Sequence, residues 1–155
     1  FGDNALPLKI AAIKHALTEG AQELAIFINL GDFFDGGTGL IEGELQRLNG
    51  LAHMNGAKTK TVIDGQFFSE SQLIRGAGAV ARSGTDFVYL IFKEKFDQNV
   101  FARIGTFKKS IPPSLPLGVT GDLQSLEDSQ DLIDTSSRLV IFEDELNSSH
   151  NFYKD

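Results

Sequence analysis

Short apolar runs alternating with helical patterns constrain this chain more than any other feature. Ile10, Ile13 and Leu17 recur at helical spacing over residues 8–17, and Gly20 stops that helix. Residues 23–30 (ELAIFINL) read as a buried strand, and a glycine-rich turn over 31–39 leads to a helix around 40–51. Residues 59–64 (TKTVID) are strand-like through their β-branched side chains. Ser69-Glu70-Ser71 marks a helix start that continues over 73–81, and 86–92 form the next strand. A helix is predicted over 99–109, ended by Pro112-Pro113. A strand over 115–119, a helix over 125–133 and a strand over 138–142 complete the series. The strands are mostly apolar throughout rather than alternating, which predicts a parallel sheet covered on both faces. A doubly wound sheet and a (β/α)8 barrel both fit that pattern, and composition does not choose between them.

Composition limits the function classes. A chain of 155 residues with 41% hydrophobic and 23% charged residues suits one soluble globular domain. Its formal charge of −7 argues against nucleic acid, whose binders present a basic face. Without cysteine there are no disulfides, thiolate nucleophiles or cysteine-ligated metals. No apolar run approaches the roughly 20 residues of a membrane helix, so no membrane insertion is expected. The first residue is Phe1 rather than Met, so a processed or partial product is expected.

Four segments carry a resemblance. Residues 20–31 (GAQELAIFINLG) resemble the "GA-x-E-[IV]-D-x-V-[IF]-N-x-G" segment of deoxyribose-phosphate aldolases. Lys60-Thr61-Val62-Ile63-Asp64 resembles their "K-V-I-[IL]-E" strand, and Leu73-Ile74-Arg75 follows at family spacing. Residues 83–89 (SGTDFVY) resemble "AGADF[IV]K", and 117–128 (LGVTGDLQSLED) resemble "[GV][VF]K-x-[AS]GG[IV]R-T-x-ED". The resemblance implies an α/β fold, a partial TIM (β/α)8 barrel matching the last five strand–helix units. On this reading residues 1–146 form the partial barrel and 147–155 a polar tail. Barrel closure needs a complete circle of strands, so five would leave open edges. Either the missing strands lie upstream or a protein partner covers the gap; the losses described next favour the partner.

Carried over residue by residue, the family's catalytic positions have lost their chemistry. The Schiff-base lysine maps to Tyr89, and a phenol does not condense with a carbonyl to give an iminium electron sink. The second lysine maps to Gly118, and the aspartate that serves in proton transfer maps to Ala25. The phosphate turns are also degraded: one reads Gly121-Asp122, the other Phe142-Glu143-Asp144-Glu145, placing carboxylates where an anion would bind. The resemblance thus implies an aldolase-like pseudoenzyme acting as a structural or interaction subunit. The alternatives are a divergent aldolase that cleaves 2-deoxyribose 5-phosphate to glyceraldehyde 3-phosphate and acetaldehyde, and a binding module for a non-phosphorylated ligand. No cofactor or metal is expected.

Lys60 is the only candidate replacement amine; otherwise its ammonium pairs with Asp64 or Asp86. Lys93 and Lys95 are expected to be solvated. Asp32 and Asp35 read as a plain turn, since their spacing matches no EF-hand. His15 falls on the first helix, His53 in a helix-to-strand connection and His150 in the tail, a spacing that suggests no shared metal site. Phe33, Phe34, Phe67, Phe68 and Phe92 follow predicted strands, where they would plug a barrel mouth, offer a protein-binding surface or pack under the loops.

Overall fold

The computed structural model describes residues 5–34, 37–92, 96–121 and 138–139. Among them the chain runs α1 (Leu6–Thr18), β1 (Glu23–Phe27), α2 (Leu30–Phe34), α3 (Thr38–Met54) and β2 (Lys58–Asp64). A 3-10 turn (Gly65–Phe67), α4 (Glu70–Arg82), β3 (Phe87–Phe92), α5 (Gln98–Ser110), β4 (Leu117–Gly121) and β5 (Arg138–Leu139) follow. The predicted helix over 125–133, the tail, and residues Asp35, Lys93, Lys95, Asp122, Phe142, Glu143, Asp144, Glu145 and His150 lie outside the described residues.

The strand order decides between the two candidate architectures. All four pairings are parallel, and the order β1-β2-β3-β4-β5 follows the chain. A doubly wound sheet reverses its order at a switch point, whereas a barrel adds each strand beside the last. The architecture is α/β with the consecutive parallel strands of a partial barrel.

Local chemistry explains the element ends. Gly20 (φ 91°) and Gly56 (φ 77°) end α1 and α3 in the left-handed region, where a side chain would be strained. Ser69 caps α4 in a reciprocal capping box with Gln72, and the Asp97 carboxylate accepts the Val100 N–H at 2.9 Å to start α5. β4 begins two residues later than the sequence predicts, because Pro116 has no N–H for the ladder. Its carbonyl still accepts from Val88 N–H at 3.0 Å.

Helices cover one face of the sheet. Ile26, Ile63, Leu90 and Val119 from the strands pack with Leu45, Leu48, Leu73 and Ile104 in one buried core. Buried Asn49 on α3 donates to the Ser83 carbonyl at 2.9 Å, tying α3 to the end of α4. Lys9 on α1 donates to the Phe27 carbonyl at 3.2 Å and pairs with Glu44 at 2.5 Å, so α1, β1 and α3 share one ionic tie.

Three expectations need correction. The 31–39 turn contains the short helix α2, because Asn29 accepts the Asp32 N–H and opens a helical turn before Gly37. His53 lies in the last turn of α3 rather than in the connection after it. β1 is not buried on both faces: Glu23, Ala25 and Phe27 are exposed while Ile26 is buried. Among the described residues β1 pairs only with β2.

Candidate functional site

The face of the sheet opposite the helix-packed core gathers the positions singled out in the sequence. Side chains alternate along a strand, and in-register neighbours share a face. Ala25 is in register with Lys60, Lys60 with Phe87, Val62 with Tyr89, and Tyr89 with Gly118. Ala25, Lys60, Tyr89 and Gly118 therefore line one inner surface across four strands. No two of these four are close in the sequence.

The centre of that surface is filled by aromatic rings. Tyr89 stacks on Phe87 with ring centroids 4.7 Å apart. Both rings lie across the β4 backbone at residue 118. A Cβ there would sit 2.7 Å from Tyr89 Cε1 and 3.0 Å from Phe87 Cε1, so only glycine fits without a shift. Tyr89 and Gly118 thus form one steric unit, a large side chain on β3 accommodated by none on β4.

Lys60 has partners on this face. Its ammonium forms an ion pair with Glu23 and stands 5.8 Å from the Tyr89 ring centroid. The expected partners, Asp64 and Asp86, are both engaged elsewhere. Asp64 lies four residues along β2, roughly 13 Å away at strand rise, and its carboxylate accepts the Gln66 N–H. Asp86 accepts the Thr59 N–H at 2.8 Å and contacts His53 Nε2 at 2.8 Å. Glu23 lies two residues before Ala25 on the same face of β1. Sequence reading missed it because register between parallel strands has no local signal.

Asp86 is the carboxylate this environment perturbs. Partial burial pushes its pKa up, but the Thr59 amide and His53 outweigh that and hold it below the usual carboxylate value. A depressed folded-state pKa contributes stability that is fully present above the unfolded value. That contribution is lost as pH falls through the folded one. Urea midpoints are therefore expected to fall below about pH 4, and Asp86→Asn to flatten that acid-side loss. An unchanged acid slope in the variant would reject this assignment.

The remaining candidates are scattered. His15 lies on α1 and His53 on α3. Among the described residues no three His, Asp or Glu side chains gather as a metal-binding group. Asp32 lies in the first turn of α2. Gly121 ends β4, so only the start of one phosphate-turn position is described. No helix of the described residues is long and apolar enough to cross a membrane. The phenylalanines divide: Phe33, Phe68 and Phe92 are core residues, whereas Phe34 and Phe67 are 48% and 53% exposed. Phe33 and Phe68 pack with ring centroids 4.4 Å apart, and Phe34 lies 5.5 Å from Phe68.

No protein-family model matches the chain. It is 27% identical over 133 residues to the deoxyribose-phosphate aldolase of Metamycoplasma hominis, covering 86% of this chain and 60% of that aldolase. A solved structure described as QR15, an aldolase, superposes with TM-score 0.77 at 19% identity, covering 90% of this chain and 63% of the other. The deoxyribose phosphate aldolase from Aeropyrum pernix, described as a unique tetrameric structure, gives 0.72 at 18% identity, over 91% and 59% respectively. The chain thus spans about three fifths of the length of the curated relatives it matches. Its homologues are named deoxyribose-phosphate aldolase, at low identity over most of this chain, and the two solved structures above share its fold and are described as aldolases.

Proposed function

We propose that this chain is a non-catalytic, aldolase-like protein that acts as a structural or interaction subunit. One observation carries the reading. The Tyr89 ring lies over Gly118, filling the space in which a Schiff-base lysine and its neighbouring lysine would stand. Ala25, on the same face, supplies no carboxylate for proton transfer. The acids at Asp122, Glu143 and Asp144 are the second support, since they oppose a phosphate ester.

A partner of this subunit adds a polypeptide segment at the β1 edge. Among the described residues Glu23–Phe27 pairs on one side only. Such an edge is a template for strand addition. A native mass above that of a single 16.9 kDa chain is expected, and a stable monomer would contradict the assembly role.

The second reading is a divergent aldolase using Lys60, the one amine next in register to Ala25. Against it, the Lys60 ammonium is oriented by Glu23 and the Tyr89 ring. Incubation with 2-deoxyribose 5-phosphate separates the two. No glyceraldehyde 3-phosphate above the protein-free rate is expected. Turnover that Lys60→Met abolishes would overturn the proposal in favour of the second reading.

A further inference from the structure

A groove of about 450 Å³ opens at the amino-terminal ends of the strands, within the size range of small-molecule sites. Glu23 and Lys58 begin β1 and β2, while Asp86 and Pro116 immediately precede β3 and β4. Sites in (β/α)8 barrels lie at the opposite, carboxyl-terminal ends. The groove thus opens at the end opposite to such sites, with Tyr89, onto which the resemblance maps the Schiff-base lysine, among its lining residues.

The groove combines an apolar floor with one uncommitted charge. Phe87, Tyr89, Pro113 and Pro116 supply apolar surface. Both carboxylates are already engaged, Glu23 with Lys60 and Asp86 with His53 and the Thr59 amide. The Lys60 ammonium is likewise taken. Lys58 is exposed, and its ammonium has no ion pair or hydrogen bond among the described residues. What the groove offers a ligand is thus ring-sized apolar contact plus a single ammonium donor.

We propose that this groove binds a small aromatic carboxylate, with the ring on the Phe87–Tyr89 side and the carboxylate on Lys58. A charge-assisted hydrogen bond fixes the anion, and burial of the ring supplies the rest of the affinity. The ligand needs no reactive carbonyl, so the proposal stands or falls independently of whether the chain forms a Schiff base.

Amide NMR titration of the whole chain with benzoate tests it. Saturable shifts at Lys58, Phe87 and Tyr89 are expected. Benzamide, which has the ring without the charge, and acetate, which has the charge without the ring, are each expected to bind about tenfold more weakly, the equivalent of one lost charged contact or apolar body. Lys58→Met is expected to weaken benzoate by a similar factor while Lys58→Arg retains it. Absence of saturable shifts at these residues would overturn the proposal. So would acetate or benzamide matching benzoate, or unchanged affinity in Lys58→Met. The ligand comparisons use the unaltered protein and do not depend on any variant folding.

Discussion

Gly118→Ala is expected to destabilise the protein by about 2 kcal/mol, the cost of forcing one extra carbon into a filled space. At an ordinary strand glycine the same change stabilises by about 0.4–1 kcal/mol, through the unfolded chain. Two effects of opposite sign therefore compete, and the contact distances decide between them. The new Cβ would lie 2.7 and 2.9 Å from Tyr89 ring carbons and 3.0 Å from Phe87. These are rigid ring atoms rather than a flexible tip, and Phe87, which backs them, is only 8% exposed. Removing the ring should reverse the sign. In a Tyr89→Ala background, Gly118→Ala is expected to be neutral or stabilising, giving a coupling of about 2 kcal/mol in a double-mutant cycle read from urea midpoints. Additive effects would mean that the two positions are not one unit.

A larger loss is expected at Phe92, where alanine should cost about 4 kcal/mol. Phe92 is fully buried beneath the turn after β2, and a Cβ on Gly65 would lie 2.5 Å from its ring. Arg103 stands 5.2 Å from the ring centroid and donates to the carbonyls of Gly65 and Phe68. The ring is thus the filler between β3, the 3-10 turn and α5, and removing it leaves a cavity beside a guanidinium. Phe67→Ala, two residues past Gly65 but 53% exposed, should change stability by less than about 0.5 kcal/mol. Equal losses at the two phenylalanines would contradict the packing described for this turn.

Much of the fold was legible because its signals are local. Helical spacing around Ile13, the Ser69 cap and the glycine at 20 each act within a few residues. The parallel character followed from apolar strands, but barrel against doubly wound sheet did not. That choice resides in strand order, a long-range property. The resemblance places the family's catalytic positions at Tyr89, Gly118 and Ala25. That Tyr89 and Gly118 compensate each other sterically could not be read there, since it depends on which residues oppose each other across β3 and β4. The same limit hid the pairing of Lys60 with Glu23. Asp64 and Asp86 are nearer in motif logic, but β-strand register places Glu23 on the correct face. Phe33, Phe67 and Phe92 looked alike in sequence, yet Phe33 on α2 and Phe92 at the end of β3 are buried, while Phe67 in the 3-10 turn is exposed.

The central proposal is that the inner face presents no amine to a carbonyl. Borohydride reduction of the intact protein in the presence of acetaldehyde, followed by mass spectrometry, tests it most directly. The account predicts no site-specific mass increment on the inner face, with Lys60 unmodified while it remains paired with Glu23. A stoichiometric reduced adduct at Lys60 would contradict it and identify the chain as a Schiff-base-forming aldolase relative.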